Sequence, residues 1–331
     1  MKKIAINGFG RIGRLVFRII EERNDMEVVA INGHSASPEE MAYLLKYDTN
    51  HGRYNKKVTF DDEAIYVEGR KVNVYQVSEP DKIPWSKHDI DVVLECTGKF
   101  TKYEDAMMHL TAGAKKVLIS APGKGEMKTI VYNVNEDILT DNDVIVSAAS
   151  CTTNCLAPVL KVLDDNFKVV KGNMTTIHAY TNDQATLDVS HKKGIYERRG
   201  RACAMNIIPT TTGAAKAIGK VLPNLDGRLL GSAMRVPVSD GSLVDLTVEL
   251  EKHVTVEEIN NAFKNSVNET LQYTEDPIVS SDIVSSTCGG TVDGNLTNVL
   301  NVDGKELVHV IAWYDNEMGY SYQMVRTLAK M

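Results

Sequence analysis

The chain has 331 residues, 43% apolar and 24% charged, the proportions of a folded globular protein with room for two ordinary domains. Its 37 basic and 44 acidic residues leave a formal charge of −7, which argues against a general nucleic-acid binder. No apolar run reaches the roughly 18 residues that a membrane-spanning helix needs, and five cysteines without framework spacing point to a reducing compartment rather than to disulfides.

The N-terminus leads directly into a strand, Lys3–Asn7, so no signal peptide is expected and the location expected is the cytoplasm. Gly8-Phe9-Gly10-Arg11-Ile12-Gly13 follows, then a helix with Ile12, Leu15, Val16, Ile19 and Ile20 on one face, then a strand over Glu27–Ile31. A GxGxxG between strand and helix is a dinucleotide signal, whereas the same glycines elsewhere are often only a tight turn. Gly8 permits the turn, Gly10 lets the backbone approach a pyrophosphate, and Gly13 lets helix and strand pack closely. The pyrophosphate is expected on the helix N-terminus, beside Arg11 and Ile12.

An acidic residue ordinarily closes the second strand and accepts hydrogen bonds from the adenosine ribose. Here the sequence reads Asn32-Gly33-His34-Ser35, with no acid. Gly33 removes the repulsion of a 2′-phosphate and is expected to leave room for one, while His34 and Ser35 offer donors. Further strands are predicted near Val58–Phe60, Lys71–Val77, Val92–Cys96, Val117–Ser120, Thr129–Tyr132 and Val144–Ser147. Several are wholly apolar, as in a buried parallel sheet. Thr97-Gly98 and Ser120 close two of them, where a doubly wound sheet holds its ligand. The expected first domain is 1–149.

After the strand ending at Ser147 comes Ala148-Ala149-Ser150-Cys151-Thr152-Thr153-Asn154-Cys155, and then a helical pattern. Ser150 is a suitable N-cap, placing Cys151 in the first turn, where free N–H groups and the helix dipole favour an anion and lower a thiol pKa. Most free cysteines are simply small buried hydrophobes; the polar surroundings of Cys151 argue otherwise, and Cys155 is assigned to the core. Long alternating segments follow at Val170–Ala179, Leu229–Val238, Ser242–Leu250 and Leu307–Tyr314, which predict a mostly antiparallel sheet in an α+β domain, 150–315. The polar loop from Tyr180 to Ala204 is long enough to suggest a function. Asn316–Met331 reads as a closing helix.

The segments INGFGRIGR, SCTTNC, TTIHAYT, IIPTTTGAAKA, AMRVP and WYDNEMGY, in this order and spacing, resemble the phosphorylating glyceraldehyde-3-phosphate dehydrogenases of the bacterial type from the first strand to the last helix. The resemblance implies a Rossmann-type doubly wound α/β domain that includes 316–331, an α+β catalytic domain, and a cytoplasmic homotetramer that binds neither nucleic acid nor membrane. It implies oxidation and phosphorylation of D-glyceraldehyde 3-phosphate by inorganic phosphate to 1,3-bisphosphoglycerate with NAD. Carried over residue by residue, Cys151 is the nucleophile and His178 its base; a histidine at a strand end would otherwise be read as structural. Arg235, Thr181 and Asp183 match the substrate-phosphate site, with Arg235 shared with the inorganic-phosphate site of Ser150, Thr152, Thr212 and Gly213. A surface ion pair for Arg235 and a helix cap for Thr210–Thr212 are the plain alternatives. Thr97, Gly98, Ser120, Asn316 and Tyr320 match residues around the nicotinamide half.

Three departures from that family pattern stand out. Ala148 replaces an asparagine; Val238-Ser239-Asp240-Gly241 replaces Thr-Pro-Asn-Val; and Val189-Ser190 stands where NAD-type members read Leu-Pro or Gly-Pro. Ser190, together with Gly33 in place of the ribose aspartate, is similar to photosynthetic members that use NADP, so NADP is expected as a second cofactor. The alternatives are an erythrose-4-phosphate dehydrogenase, distinguished by its phosphate dependence, and a catalytically inactive binding module. A cysteine hydrolase leaves the dinucleotide motif without a role, and a zinc site at Cys151 and Cys155 lacks a second ligand pair at finger spacing.

Overall fold

The computed structural model describes all 331 residues and divides into two units. The first comprises Met1–Tyr132, Glu136–Ser150 and Ser321–Met331; the second comprises Asn133–Asn135 and Cys151–Tyr320.

In the first unit the elements run β1 (Lys2–Asn7), α1 (Arg11–Ile20), β2 (Met26–Asn32), α2 (Pro38–Lys46), β3 (Val58–Phe60), β4 (Ala64–Val67), β5 (Arg70–Tyr75), β6 (Val92–Glu95), α3 (Tyr103–Thr111), β7 (Lys116–Ile119), β8 (Lys128–Thr129) and β9 (Ile145–Ser147). They form a nine-stranded sheet in the order β3-β4-β5-β2-β1-β6-β7-β9-β8. All neighbours are parallel except β3–β4 and β4–β5. β6 and β9 are buried along their whole length, which explains their uninterrupted apolar runs. From β1 the chain winds outward to β2 and β5, and β6 lies on the opposite side of β1. The strand order therefore reverses between β1 and β6, where a doubly wound sheet binds its ligand beyond the strand ends.

The sequence reading had no place for α2, α3 or β4. α2 nevertheless carries a clear start signal: the Ser37 hydroxyl accepts from Glu40 N–H, the Glu40 carboxylate accepts from Ser37 N–H, and Pro38 occupies the first turn. The strand expected over Thr129–Tyr132 shortens to Lys128–Thr129, because pairing ends as the chain turns at Asn133, whose φ is +60°.

In the second unit the elements are α4 (Cys151–Phe167), β10 (Val169–Ala179), β11 (Ile208–Thr210), α5 (Ala214–Val221), β12 (Leu229–Val236), β13 (Ser242–Leu250), α6 (Val256–Asn265), β14 (Leu271–Thr274), β15 (Gly290–Asp293), β16 (Asn298–Val302), β17 (Lys305–Tyr314) and α7 (Met318–Lys330), the last belonging to the first unit from Ser321 onward. The sheet order is β11-β12-β10-β13-β17-β15-β14, with β16 on β17. Only β10–β12 and β14–β15 are parallel, so the sheet is mostly antiparallel. β13 alternates buried and half-buried residues, the pattern of a sheet with one covered face. α4, buried continuously from Thr152 to Leu160, lies over β10, β13, β15 and β17.

α6, also outside the sequence reading, starts on a reciprocal Thr255–Glu258 capping box. α7 begins at Met318 rather than at Asn316. One Asp315 carboxylate oxygen accepts from Glu317 N–H (2.7 Å) and Met318 N–H (2.6 Å), so Asp315 caps the helix and Asn316 lies outside it.

Candidate active site

Cys151 is the first residue of α4, and β10 brings His178 to it: Sγ lies 3.4 Å from His178 Nε2. The tautomer follows from the other ring nitrogen. His178 Nδ1 is 2.7 Å from the Ala179 carbonyl oxygen, which can only accept, so Nδ1 carries the proton. Nε2 is then a lone-pair acceptor, and the thiol donates to it. Burial, followed by the nearby Arg235 charge, pushes the His178 pKa down to about 3, so the imidazole is neutral. Burial also pushes the Cys151 thiol up, against Arg235 and hydrogen bonds from Thr152, which favour the thiolate. The sequence reading expected a lowered thiol pKa from the helix start alone; desolvation outweighs it. Burial thus works against the charged form of both partners.

Register places the third member. β10 and β12 run parallel with His178 opposite Arg235, and β11 pairs Ile208 with Arg235 on the other side. One Arg235 Nη donates to the Ala179 carbonyl and to the Thr181 hydroxyl, both at 3.0 Å. Its Nε–H is buried without a partner, a donor ready for an anion. The Thr181 hydroxyl donates to Asp183 (3.2 Å), and the Asp183 carboxylate accepts from Arg199 Nη (2.5 Å). Burial raises the Asp183 carboxyl, but Arg199 prevails and holds it below its ordinary value. Arg199 Nε also donates to Thr210 (3.2 Å). Asp183 therefore orients cations and a hydroxyl rather than facing an anion itself.

The other anion-site candidates are distributed differently. Thr212 accepts from Ala214 N–H at the start of α5, whose N-cap Gly213 has open space where a Cβ would stand. Thr152 is buried, and its hydroxyl is bonded to the Tyr314 phenol (2.8 Å), which is equally bonded to Thr176. Its hydroxyl is thus engaged by the Tyr314 phenol and beside the Cys151 thiol, leaving its backbone for a ligand. Ser150 immediately precedes α4. Cys155 is fully buried, with Sγ 3.8 Å from the Ala312 carbonyl, as the core assignment expected.

In the first unit, a Cβ on Gly8 (φ +96°) would meet Thr97 N at 2.7 Å, and one on Gly13 would overlap the Gly8 carbonyl, so both positions require glycine. Gly10 faces open space. α1 opens with no side-chain cap and no acid in its first turn, which fits a pyrophosphate there. Ile12 lies in that turn, and the Arg11 guanidinium is committed to both oxygens of Asp48. Thr97, Gly98 (φ +67°) and Ser120 follow β6 and β7. His34 and Ser35 are exposed beyond Asn32, whose side chain holds Val77 N–H and C=O. On its inner side Gly33 leaves no room for a side chain: a Cβ there would overlap the terminal methyl of Met41, which is 1% exposed. In the second unit, Asn316 is buried and accepts from the Ser242 hydroxyl (2.6 Å), Tyr320 is buried, and Ser190 is exposed on the loop.

Sequence models of the glyceraldehyde 3-phosphate dehydrogenase NAD-binding domain and C-terminal domain match residues 2–103 and 150–316. The chain belongs to the glyceraldehyde-3-phosphate dehydrogenase family. The enzyme of that name from Clostridium pasteurianum is 55% identical over 99% of this chain and 98% of its own, and that from Clostridium acetobutylicum agrees to the same extent. The Streptococcus pyogenes enzyme is 52% identical over 98% of this chain and 97% of its own. The chain is thus an NAD-binding oxidoreductase, and no helix is long and apolar enough to cross a membrane.

Two residues with functional consequences escaped the sequence reading. Arg199 stands in the long polar loop with Arg198 and Arg201, and nothing local marks it out; its pairing with Asp183 and Thr210 separates it from Arg201, which pairs with exposed Asp188. Met41 gave no signal, because nothing in a helix-spaced methionine tells which loop residue it will meet.

Proposed function

We propose that the enzyme oxidises and phosphorylates D-glyceraldehyde 3-phosphate to 1,3-bisphosphoglycerate, with Cys151 as the covalent nucleophile. The reading rests on one observation: a helix-start thiol 3.4 Å from an imidazole whose other nitrogen is fixed by a carbonyl, beside a buried arginine with an unused donor. The family membership supports the same substrate.

His178 Nε2 takes the thiol proton as sulfur attacks the aldehyde carbon and returns it to the new alkoxide, giving a thiohemiacetal. In the oxidation Nε2 removes the hydroxyl proton, and a thioester remains on Cys151. Bound NAD supplies the hydride acceptor. Inorganic phosphate then attacks the thioester carbon, the carbon–sulfur bond breaks, and the leaving sulfur is reprotonated from His178. Arg235 and Thr181 hold the substrate phosphate. Arg235, Arg199, the Ser150–Thr152 backbone and the Thr212-Gly213 turn hold the attacking phosphate; arginine suits both tasks because it stays charged and donates to two oxygens at once.

The residues that would hold the dinucleotide are the Gly8–Gly13 loop with the start of α1 for the pyrophosphate, and Asn32–Ser35 for the adenosine ribose. Thr97, Gly98, Ser120, Asn316 and Tyr320 would hold the nicotinamide half. The ribose corner lacks a carboxylate, and His34 and Ser35 are exposed donors, so it accepts NADP as well as NAD. In a cytoplasmic homotetramer Ser190 reaches the neighbouring subunit's ribose corner. Initial rates with glyceraldehyde 3-phosphate and inorganic phosphate, with NAD and NADP varied in parallel, test this. Comparable kcat/KM for the two cofactors is the expected result; activity with NAD alone overturns the dual use, and absence of phosphate-dependent turnover overturns the reaction.

A further inference from the structure

The facing ends of β1 and β6 carry a hydrogen-bond chain whose direction is fixed from both sides. At one end is a peptide: Val77 N–H donates to Asn32 Oδ1 (2.9 Å), so Asn32 Nδ2 must donate, and it does so to the Val77 carbonyl (2.9 Å) and to Asn7 Oδ1 (2.7 Å). Asn7 Nδ2 is then left to donate to Glu95 Oε2, at 2.6 Å across the β1–β6 pair. At the other end is an indole: Trp85 Nε1–H can only donate, and does so to His109 Nδ1 (3.1 Å). His109 Nε2–H therefore donates to the same Glu95 oxygen (3.0 Å). Glu95 Oε1 accepts from Thr97 N–H (2.7 Å) and from the Thr97 hydroxyl. Four donors converge, both oxygens must accept, and the group is a carboxylate. Glu95 and His109 are 1% and 0% exposed.

A carboxylate is costly to bury, and four donors are what offset that cost. Three turns are fastened to this one. Thr97 gives it both polar groups and then accepts from Lys99 N–H (3.0 Å), which shapes the Thr97-Gly98 turn. Asn32 opens the ribose corner, and its carbonyl accepts from Gly8 N–H (2.8 Å). Gly8 in turn packs so closely on Thr97 that no Cβ fits.

We propose that Glu95 is the positioning residue of the dinucleotide site, the single acceptor that sets the Gly8, Asn32 and Thr97 turns relative to one another. It touches no cofactor and acts through Thr97, Asn7 and Asn32.

Glu95→Gln is the discriminating change. An amide nitrogen at the Oε2 position faces the donors of Asn7 and His109, and at the Oε1 position it faces Thr97 N–H, so neither orientation satisfies all four. The expected result is a rise in the NAD dissociation constant of about 10-fold or more by titration calorimetry, about 1.4 kcal/mol. kcat at saturating NAD should stay within about threefold and the KM for the aldehyde should not move. Asn7→Asp combined with Glu95→Gln moves the carboxylate one step along the chain. It reverses the 7–95 bond and keeps both Thr97 bonds, and should recover much of the lost affinity. A lower melting temperature with NAD affinity unchanged would show that the network holds only the core and would overturn the proposal, as would failure of the double variant to regain affinity over Glu95→Gln. Should Glu95→Gln not fold, Glu95→Asp keeps the charge but withdraws it from Thr97, and the same split between NAD affinity and kcat decides.

Discussion

Gly33 and Met41 make a quantitative case. Gly33 has no left-handed backbone, so its glycine is a matter of space alone. An added Cβ falls on the Met41 methyl, whereas carbon atoms rest about 3.5–4 Å apart. The methyl must therefore move by more than an ångström, and Met41, 1% exposed, must make that move inside a packed interior. Overpacking of this kind costs about 1–3 kcal/mol. The loss of unfolded-chain freedom on going from glycine to alanine returns about 0.4–1 kcal/mol. Gly33→Ala should thus destabilise the wild-type chain by at most about 2.6 kcal/mol, yet stabilise a Met41→Ala background slightly, although Met41→Ala itself costs about 2–5 kcal/mol. Urea unfolding of the four proteins in this cycle reads the coupling. The same pair should govern cofactor choice. Gly33→Asp alone is expected to gain little for NAD, while Gly33→Asp with Met41→Ala should lower kcat/KM for NADP about 10-fold or more relative to NAD, as a carboxylate now faces the 2′-phosphate. Additivity within about 0.5 kcal/mol would refute the reasoning.

His178→Asn keeps a polar side chain but removes the proton acceptor. Turnover should fall by about 10²–10⁴ and alkylation of Cys151 by iodoacetamide should slow; unchanged values for both would remove His178 from the mechanism. Asp48 gives a pH test. Burial raises its carboxyl, but Arg11 and the His51 N–H win and hold it at about 2, below its ordinary value of 3.8. A depressed folded pKa means stability that is present above 3.8 and lost as the pH falls toward 2, on the order of 2 kcal/mol for a side chain only 3% exposed. Asp48→Asn should therefore be the less stable protein at pH 6, with the gap to wild type narrowing below pH 4 in chemical denaturation; a gap independent of pH would contradict the ion-pair account.

The features legible along the chain were local ones. The strand–GxGxxG–helix unit, Cys151 at a helix start, the alternating strands of the second sheet and the missing acid after β2 all depend on neighbours a few residues away, where period and capping chemistry leave a trace. α2 and α6 belong to the same class, since their Ser37–Glu40 and Thr255–Glu258 boxes stand in the sequence. Which residues meet, and how dry their meeting place is, depended on the folded arrangement. Burial, a sum over many distant side chains, reversed the expected lowering of the Cys151 pKa. The turn that follows β2 and the helix α2 together placed the Met41 methyl where a Cβ on Gly33 would stand. Pairing of β1 with β6 put Asn7 against Glu95, 88 residues away, and α3 delivered His109 to the same carboxylate. A hydrogen-bond chain of that kind has no period to be read: its members are ordinary polar residues, and their common acceptor exists only once the strands lie side by side.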